Sequence, residues 1–196
     1  MIAWTIEAAV KSKVFDMIMV STDDKEISEI AQKYGAKVPF LRDLNRDDFS
    51  TVSDVVVHEK NRLKEEFDIV VMLMPNCPIR DEFDIRNSVS SFIEKGRDFQ
   101  ISCFKYGWMN PWWAHKINSS GEGESIFTKE ILSRSQDLED LYCPTGAIWV
   151  ASTKALDKEK TFYGKNFTME PLDWKKAVDI DDYNDLEMAN FIFSFR

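Results

Sequence analysis

The stretch Phe67-Asp-Ile-Val-Val-Met-Leu-Met74 decides the fold class of this chain. From Ile69 onward its apolar residues follow one another without polar alternation, so a strand formed here is buried on both faces. Strands of this kind are typical of parallel sheets that are covered by helices. The stretch therefore predicts a layered α/β sheet in which most strands are parallel.

Helical and strand-like patterns alternate on both sides of this stretch. The predicted helices span residues 6–14, 25–34, 53–65 and 85–95, and a last helix ends near 193. The further predicted strands span residues 16–22, 99–104, 146–151 and 177–180. Such alternation predicts one α/β domain over residues 1–196. The alternation stops between 105 and 144, and this segment is predicted to be an inserted excursion.

The composition argues against several classes of protein. A net charge of −9 opposes a nucleic-acid surface, which requires clustered Lys and Arg. No segment has the roughly 20 apolar residues that span a bilayer, and no signal-peptide pattern is seen. Three cysteines are too few and too scattered for a disulfide framework or a zinc site. We therefore expect a cytoplasmic protein without a nucleic-acid or membrane partner.

The most acidic stretch, Val178-Asp-Ile-Asp-Asp-Tyr-Asn-Asp-Leu-Glu-Met-Ala-Asn190, combines two patterns. In an extended chain Asp179 and Asp181 point to the same face. Carboxylates paired in this way suit Mg²⁺, which usually takes one or two of them together with substrate phosphates. Asp182 and Asp185 instead fit the N-cap and the first turn of a helix. A solvated run of charge is the alternative for the first pair.

Two other predicted strand ends carry chemically unusual residues, and ligands of open α/β sheets collect beyond the carboxyl ends of strands. Ser21-Thr22-Asp23-Asp24 is either a helix N-cap or part of such a site. Met74-Pro-Asn-Cys-Pro-Ile-Arg80 is either a plain turn or a rigid loop that presents backbone groups and a guanidinium to a ligand.

Four stretches together resemble one known family: STDDKEISEIAQKYGAKVPFLR (21–42), VVMLMPNCPIR (70–80), TGAIWVAS (145–152) and VDIDDYNDLEMA (178–189). In this order and at this spacing they are similar to the acylneuraminate cytidylyltransferases, also called CMP-sialic acid synthetases. The resemblance covers nearly the whole chain and implies a three-layer, Rossmann-like nucleotide-diphospho-sugar transferase fold. It implies transfer of the cytidylyl group of CTP to the 2-hydroxyl of a nonulosonic acid, a nine-carbon sugar acid, with release of pyrophosphate. It also implies Mg²⁺ and a homodimer.

The resemblance assigns roles to individual residues. Asp179 and Asp181 match the family's metal ligands and are the expected catalytic carboxylates. Arg134 matches an anion-binding residue that is also expected to act in catalysis. The segment 105–144 matches a dimerisation and sugar-binding arm that reaches into the neighbouring subunit. The residues expected to bind nucleotide or sugar are Arg42, Ser53, Asn76, Arg80 and Thr145.

Several positions near the expected sugar site depart from the family's pattern. The glutamine, threonine and serine of the family's LQPTSP stretch are Met74, Asn76 and Cys77 here. The asparagine and tyrosine of its NGAIY stretch are Thr145 and Trp149. Each change removes or alters a hydrogen-bonding group, so the sequence leaves open which nonulosonic acid is bound. Neither histidine falls in a matched motif, and both are expected to be structural or exposed.

The family's glycine-rich, phosphate-wrapping loop has no counterpart in this chain, whose seven glycines are isolated or lie in one turn. The first residues, Met1-Ile-Ala-Trp-Thr-Ile6, match the part of the family that follows that loop. Two hypotheses follow. The chain is a cytidylyltransferase whose true start lies upstream, or it is a non-catalytic sugar-binding or dimer-forming remnant. In either case the 196 residues alone are expected to release little pyrophosphate.

Overall fold

A computed structural model describes residues 1–44 and 50–195 of the chain. Within these residues the α-helices are α1 (Ile2–Ser12), α2 (Lys25–Lys33), α3 (Val52–Arg62), α4 (Glu82–Glu94), α5 (Thr153–Glu159) and α6 (Tyr183–Phe193). The strands are β1 (Ile69–Met72), β2 (Phe99–Lys105), β3 (His115–Ile117), β4 (Gly123–Ser125), β5 (Tyr142–Ser152) and β6 (Thr168–Pro171). No described helix is long and apolar enough to cross a membrane.

The central sheet has the strand order β1-β5-β2-β6 and is mixed. The strand β5 is antiparallel to both β1 and β2, and only β2 and β6 form a parallel pair. The α/β class is confirmed, but the prediction of a mostly parallel sheet is wrong for the hydrogen-bonded pairs that the structure describes. A run of apolar residues indicates that a strand is buried on both faces. It does not indicate whether the neighbouring strand is parallel or antiparallel.

Alternate residues of β5 enter different hydrophobic clusters, which defines three layers. Ile148 and Val150 pack in a cluster with Ala8 of α1 and Phe92 of α4. Trp149 and Ala151 pack in a second cluster, whose helical members include Val57 of α3 and Leu156 of α5. Because successive side chains of a strand point to opposite faces, α1 and α4 cover one face of the sheet and α3 and α5 cover the other.

Side chains cap several predicted helices at the positions that the sequence indicates. Asp24 accepts a hydrogen bond from the backbone N–H of Ile27 at the start of α2. Thr51 and Asp54 form a capping box, so α3 begins at Val52, one residue before its predicted start. The helix α5 and the strand β6 were not predicted.

Two predicted strands are wrong. The segment 16–22 is extended but forms only one isolated bridge, between Met19 and Lys37. Among the described residues, this segment pairs only with the segment around Lys37, and residues 17–21 are half-buried. The segment 177–180 contains the end of a 3-10 helix, Trp174–Ala177, and then irregular backbone. The N–H of Ile180 donates to the backbone oxygen of Asn76 (2.9 Å), which is in a loop and not in a strand.

The predicted excursion at 105–144 is a separate arm whose two ends continue β2 and β5. Between them lie the hairpin β3–β4 and three short 3-10 helices. The ring of Trp112 lies edge-on to Phe127, with 4.9 Å between centroids. Its Nε1 donates to the backbone oxygen of Glu139 (3.0 Å). The arm is therefore held together by contacts of its own.

Candidate active site

The loop 74–80, which follows β1, is fixed by its own arginine. Arg80 is 2% exposed, and its Nη1 donates to the backbone oxygens of Met74 (3.1 Å) and Cys77. Burial lowers the pKa of Arg80 to about 10, so the guanidinium remains charged at neutral pH. The predicted ligand-binding arginine therefore stabilises its own loop, because its Nη1 donates to two backbone oxygens of that loop.

A close approach between Met74 and Gly146 places this loop against β5. The N–H of Met74 donates to the oxygen of Gly146 (3.1 Å). A Cβ atom at Gly146 would lie 2.9 Å from Met74 Cγ, so a larger residue would have to displace the Met74 side chain. The neighbouring Thr145 is buried, and its hydroxyl donates to the oxygen of Ala177 (3.0 Å). Thr145 thereby joins β5 to the segment that carries the acidic residues.

The acidic turn, residues 178–185, lies directly against the loop. Asn76 Nδ2 donates to Asp181 Oδ1 at 3.2 Å. The thiol of Cys77 donates to Asp179 Oδ1 at 3.5 Å. The structure thus brings together Asn76, Thr145 and both predicted metal ligands, although the loop and the turn are about a hundred residues apart in the chain.

The acidic turn divides into two pairs with different surroundings, as the sequence predicts. Asp182 is the N-cap of α6 and forms a capping box with Asp185. Hydrogen bonds from the backbone N–H groups of Asp185 and Asn184 hold the pKa of Asp182 below its usual value. The pKa of Asp179 is raised, first by desolvation and then by the charges of Asp181 and Asp185, although a hydrogen bond from Cys77 opposes this.

These surroundings fit a hard divalent cation. Asp179 and Asp181 offer carboxylate oxygens, the ligand type that Mg²⁺ prefers. Desolvation, and to a smaller extent the charge of Asp181, raises the pKa of Asp179, and a bound cation would offset both effects. Beside them Asn76 Oδ1 is buried and has no hydrogen-bond partner among the described residues. A buried oxygen without a hydrogen-bond partner next to an acidic pair is a further acceptor for a polar ligand.

Cys77 is buried completely and lies between Asp179 and Thr145. Its Sγ is 3.5 Å from the carboxylate and 3.8 Å from the Thr145 hydroxyl. Burial, followed by the charge of Asp179, raises the pKa of the thiol to about 12. At neutral pH the residue is therefore a protonated thiol that can donate a hydrogen bond, and it is a poor nucleophile.

A second polar group lies at the end of the extended segment 16–22. The N–H of Arg42 donates to the oxygen of Thr22 (2.8 Å), and its Nη2 is 3.5 Å from Asp23 Oδ1. Arg42 Nε and Ser21 Oγ are buried without a hydrogen-bond partner in the described parts of the chain. A buried guanidinium nitrogen without a partner makes Arg42 a candidate for binding a ligand.

Two predicted site residues lie elsewhere. Ser53 is buried in the first turn of α3, where its hydroxyl accepts a hydrogen bond from the N–H of Phe162 (3.3 Å). Its contact is with the protein, as expected of a structural residue. Arg134 is in the arm and is exposed, and its guanidinium forms a bidentate pair with Asp137 at 2.7 and 3.1 Å. Within the described residues it does not reach the loop or the acidic turn.

Both histidines have structural surroundings, as expected. His58 Nε2 is 3.6 Å from carboxylate oxygens of Asp43 and Glu59. Arg62 Nη1 lies 3.1 and 3.3 Å from the same two oxygens and already supplies the positive charge there. We therefore assign no metal to this cluster. His115 joins the two strands of the hairpin through Ser125 Oγ (2.8 Å).

The sequence analysis did not identify Lys176, which joins the segment before the acidic turn to the start of α4. Its Nζ lies 2.7 Å from Asp81 Oδ2 and 2.9 Å from Asp84 Oδ1. Asp81 follows Arg80 directly and is the N-cap of α4. The partners are more than ninety residues apart in the chain, so no local pattern signals this contact.

Comparisons with known proteins identify the family and the fold. A family model described as "Cytidylyltransferase" matches residues 1–190. A search of solved structures finds the CMP:2-keto-3-deoxy-manno-octonic acid synthetase complexed with CTP, with a TM-score of 0.68 and 14% sequence identity. That match covers 99% of this chain and 87% of the other, and at this identity it shows the shared fold. The chain belongs to the cytidylyltransferase family, whose members are nucleotidyltransferases.

Curated relatives are more similar in sequence. Pseudaminic acid cytidylyltransferase of Campylobacter jejuni subsp. jejuni is 31% identical over 98% of this chain and 84% of the relative. The CMP-N,N'-diacetyllegionaminic acid synthase of Legionella pneumophila subsp. pneumophila is 31% identical over 92% of this chain and 79% of the relative. Both printed names describe an enzyme that acts on a nonulosonic acid, and these two acids differ.

Proposed function

We propose that this protein transfers the cytidylyl group of CTP to the 2-hydroxyl of a nonulosonic acid and releases pyrophosphate. The observation that carries the proposal is the contact between the loop 74–80 and the acidic pair Asp179 and Asp181 in a cytidylyltransferase fold. The relatives that share most of this chain's length carry names for this reaction with pseudaminic and legionaminic acids.

In this proposal Asp179 and Asp181 hold Mg²⁺. When bound, the ion supplies positive charge that offsets the charge developing on the phosphate oxygens. The contribution of the chain is to keep the two carboxylates together despite their repulsion, through contacts with Asn76 and Cys77. The proximity of the two carboxylates to the loop supports this assignment, because each of them is hydrogen-bonded by a consecutive loop residue.

The sugar acid is proposed to bind beside the acidic pair. Asn76 Oδ1, which lacks a partner in the described structure, is available to accept a hydrogen bond from a hydroxyl or an amide N–H of the sugar. Arg42, with its unsatisfied Nε, is proposed to contact the nucleotide. Thr145 and Ser53 make hydrogen bonds with the protein and are not proposed to touch the substrate directly. Arg80 fixes the loop through Nη1, and its Nε and Nη2, which have no partner among the described residues, keep it a candidate for binding a ligand.

The arm is proposed to complete the site of a second subunit in a two-fold homodimer. Trp108 is 84% exposed and Leu132 is 88% exposed, which is more apolar surface than an isolated arm normally leaves in water. Arg134 is on the same arm, and its side chain is 73% exposed. In a dimer its guanidinium is proposed to meet the anionic substrate bound by the partner. A cytoplasmic location remains part of the proposal.

The test measures pyrophosphate release from CTP and Mg²⁺ with pseudaminic acid, N,N'-diacetyllegionaminic acid or N-acetylneuraminic acid. The eight-carbon 2-keto-3-deoxy-manno-octonic acid serves as the comparison substrate. Binding of the corresponding CMP-sugars is measured by calorimetry in parallel. We expect little release by the 196 residues alone. When the chain is extended upstream by a glycine-rich, phosphate-wrapping segment of the family's type, we expect release with one nine-carbon acid and little with the eight-carbon acid.

The parallel binding measurement separates the two hypotheses left by the sequence. Saturable binding of a CMP-sugar by the extended chain without any pyrophosphate release contradicts the transfer reaction and favours the non-catalytic sugar-binding protein. Absence of both release and binding contradicts a nonulosonic acid as the ligand. Equal release with the eight-carbon acid contradicts the proposed substrate class.

A further inference from the structure

Consecutive residues of the loop each contact one carboxylate of the acidic pair. Asn76 Nδ2 donates to Asp181 Oδ1 (3.2 Å), and Cys77 Sγ donates to Asp179 Oδ1 (3.5 Å). Both contacts use the Oδ1 atom. Within residues 1–44 and 50–195, no hydrogen bond reaches the Oδ2 atom of either carboxylate.

We propose that Asn76 and Cys77 are positioning residues of the metal site, which fix Asp181 and Asp179 through one oxygen and leave the other for the cation. This inference rests on the proposed function, because it needs the acidic pair to hold a metal. It goes further because it assigns the orientation of Asp181 to Asn76 and the orientation of Asp179 to Cys77.

A carboxylate needs such a donor because an aspartate side chain without a hydrogen-bond partner rotates freely. Two adjacent carboxylates repel each other, and each rotates away unless a donor restrains it. Groups that hydrogen-bond to metal ligands orient them, and removing such a group typically lowers metal affinity about 10–100-fold. Asn76 and Cys77 supply such donors, and both replace residues of a different chemical type in the family pattern that this sequence resembles.

The backbone keeps the two segments together independently of these side chains. The N–H of Ile180 donates to the backbone oxygen of Asn76 (2.9 Å), and Thr145 Oγ1 donates to the oxygen of Ala177 (3.0 Å). Removing the side-chain donors should therefore loosen the carboxylates without detaching the acidic turn. This makes the role testable in folded variants.

The experiment measures binding of Mn²⁺ alone by electron paramagnetic resonance of the free ion, with melting curves for every variant. Asn76→Ala and Cys77→Ala should each weaken Mn²⁺ binding by about 10–100-fold and leave the melting temperature nearly unchanged. Cys77→Ser keeps a donor and should restore binding. Asn184→Ala is the matched control, because Asn184 Nδ2 contacts Asp182, which caps the helix, at 3.5 Å. It should bind Mn²⁺ as the unmodified protein does.

The double variant Asp179→Asn with Asp181→Asn tests the metal site separately from the positioning role of Asn76 and Cys77. Retained Mn²⁺ binding in this variant, or no binding by the unmodified protein, overturns the metal site and the inference with it. Loss of binding there, together with normal binding by folded Asn76→Ala and Cys77→Ala, overturns the positioning role alone. Failure of Cys77→Ser to restore binding overturns the role of the thiol as a donor.

Discussion

Lys176 Nζ lies 2.7 Å from Asp81 Oδ2 and so joins the two segments that form the candidate site. Lys176 is in the 3-10 helix that directly precedes the acidic turn, and Asp81 directly follows the loop. Asp84, three residues further on, takes a second hydrogen bond from the same ammonium group (2.9 Å). This partly buried lysine adds to the hydrogen bonds of Ile180 and Thr145 that hold the acidic turn against the loop.

Replacing Lys176 by Met should lower the free energy of unfolding by about 1.5–3 kcal/mol, the usual contribution of hydrogen bonds to charged groups. Burial alone would lower the pKa of Lys176, but hydrogen bonds with Asp81 and Asp84 outweigh it and raise the pKa. The stabilisation is therefore complete below the unfolded lysine pKa of about 10.4 and is lost as the pH rises through the higher folded pKa. Urea denaturation at pH 7 and pH 11 measures both effects. Lys175→Met is the control, and equal stability of the two variants would contradict the account.

A methyl group at position 146 should displace the loop. Gly146→Ala brings Cβ to 2.9 Å from Met74 Cγ, and overpacking of this kind typically costs about 1–3 kcal/mol. Because the loop carries Asn76 and Cys77, binding of the CMP-sugar should weaken as well. Gly107→Ala is the control, since its Cβ would meet nothing within 4 Å. Melting curves and calorimetry measure the two effects, and normal binding by Gly146→Ala would show that the close approach is unimportant.

Cys77 should resist thiol reagents in the folded protein. At pH 8, four units below its pKa of about 12, roughly one molecule in 10⁴ carries the thiolate, and the side chain is fully buried. Cys143 is only partly buried and should react first. Peptide mapping after brief treatment with a disulfide reagent identifies the modified residue. Cys143→Ser should remove the fast reaction, whereas rapid modification of Cys77 in the native protein would contradict its described environment.

The arm should form a two-fold dimer at micromolar concentration, as judged by sedimentation velocity. Replacing the exposed Leu132 by Asp places a charge on the apolar surface of the arm and should shift the protein to monomer. Ile93→Asp introduces the same charge on an exposed apolar residue of α4 and should leave the dimer intact. A monomeric unmodified protein would contradict the proposal, and so would a dimer that tolerates Leu132→Asp.

Local patterns in the sequence were sufficient to predict much of the fold. The apolar stretch Phe67 to Met74 correctly indicated a strand covered on both faces, because burial is recorded in composition. Asp24 and Asp182 correctly marked helix starts, because an N-cap depends only on the residues that follow it. The division of the acidic turn into a capping pair and a crowded pair follows from the same local reasoning.

Features that depend on distant partners were not predictable in this way. The antiparallel insertion of β5 between β1 and β2 is a matter of chain topology, and an apolar strand has the same pattern in either direction. The bridge of Lys176 to Asp81 joins residues more than ninety positions apart, and no local spacing identifies it. Three residues predicted to bind ligand have contacts with the protein in the structure, and their role in ligand binding stays a prediction: Arg80, Thr145 and Ser53.

The most direct test of the central claim compares Mn²⁺ binding by two double variants of the acidic turn. In the Asp179→Asn, Asp181→Asn variant we expect binding to be abolished, while the melting temperature stays the same or rises because carboxylate repulsion is relieved. In the Asp182→Asn, Asp185→Asn variant we expect binding to persist, while the melting temperature falls because negative charge at the start of α6 is lost. If both variants lose binding to the same extent, or both keep it, the division of the acidic turn into a metal-binding pair and a helix-capping pair is contradicted.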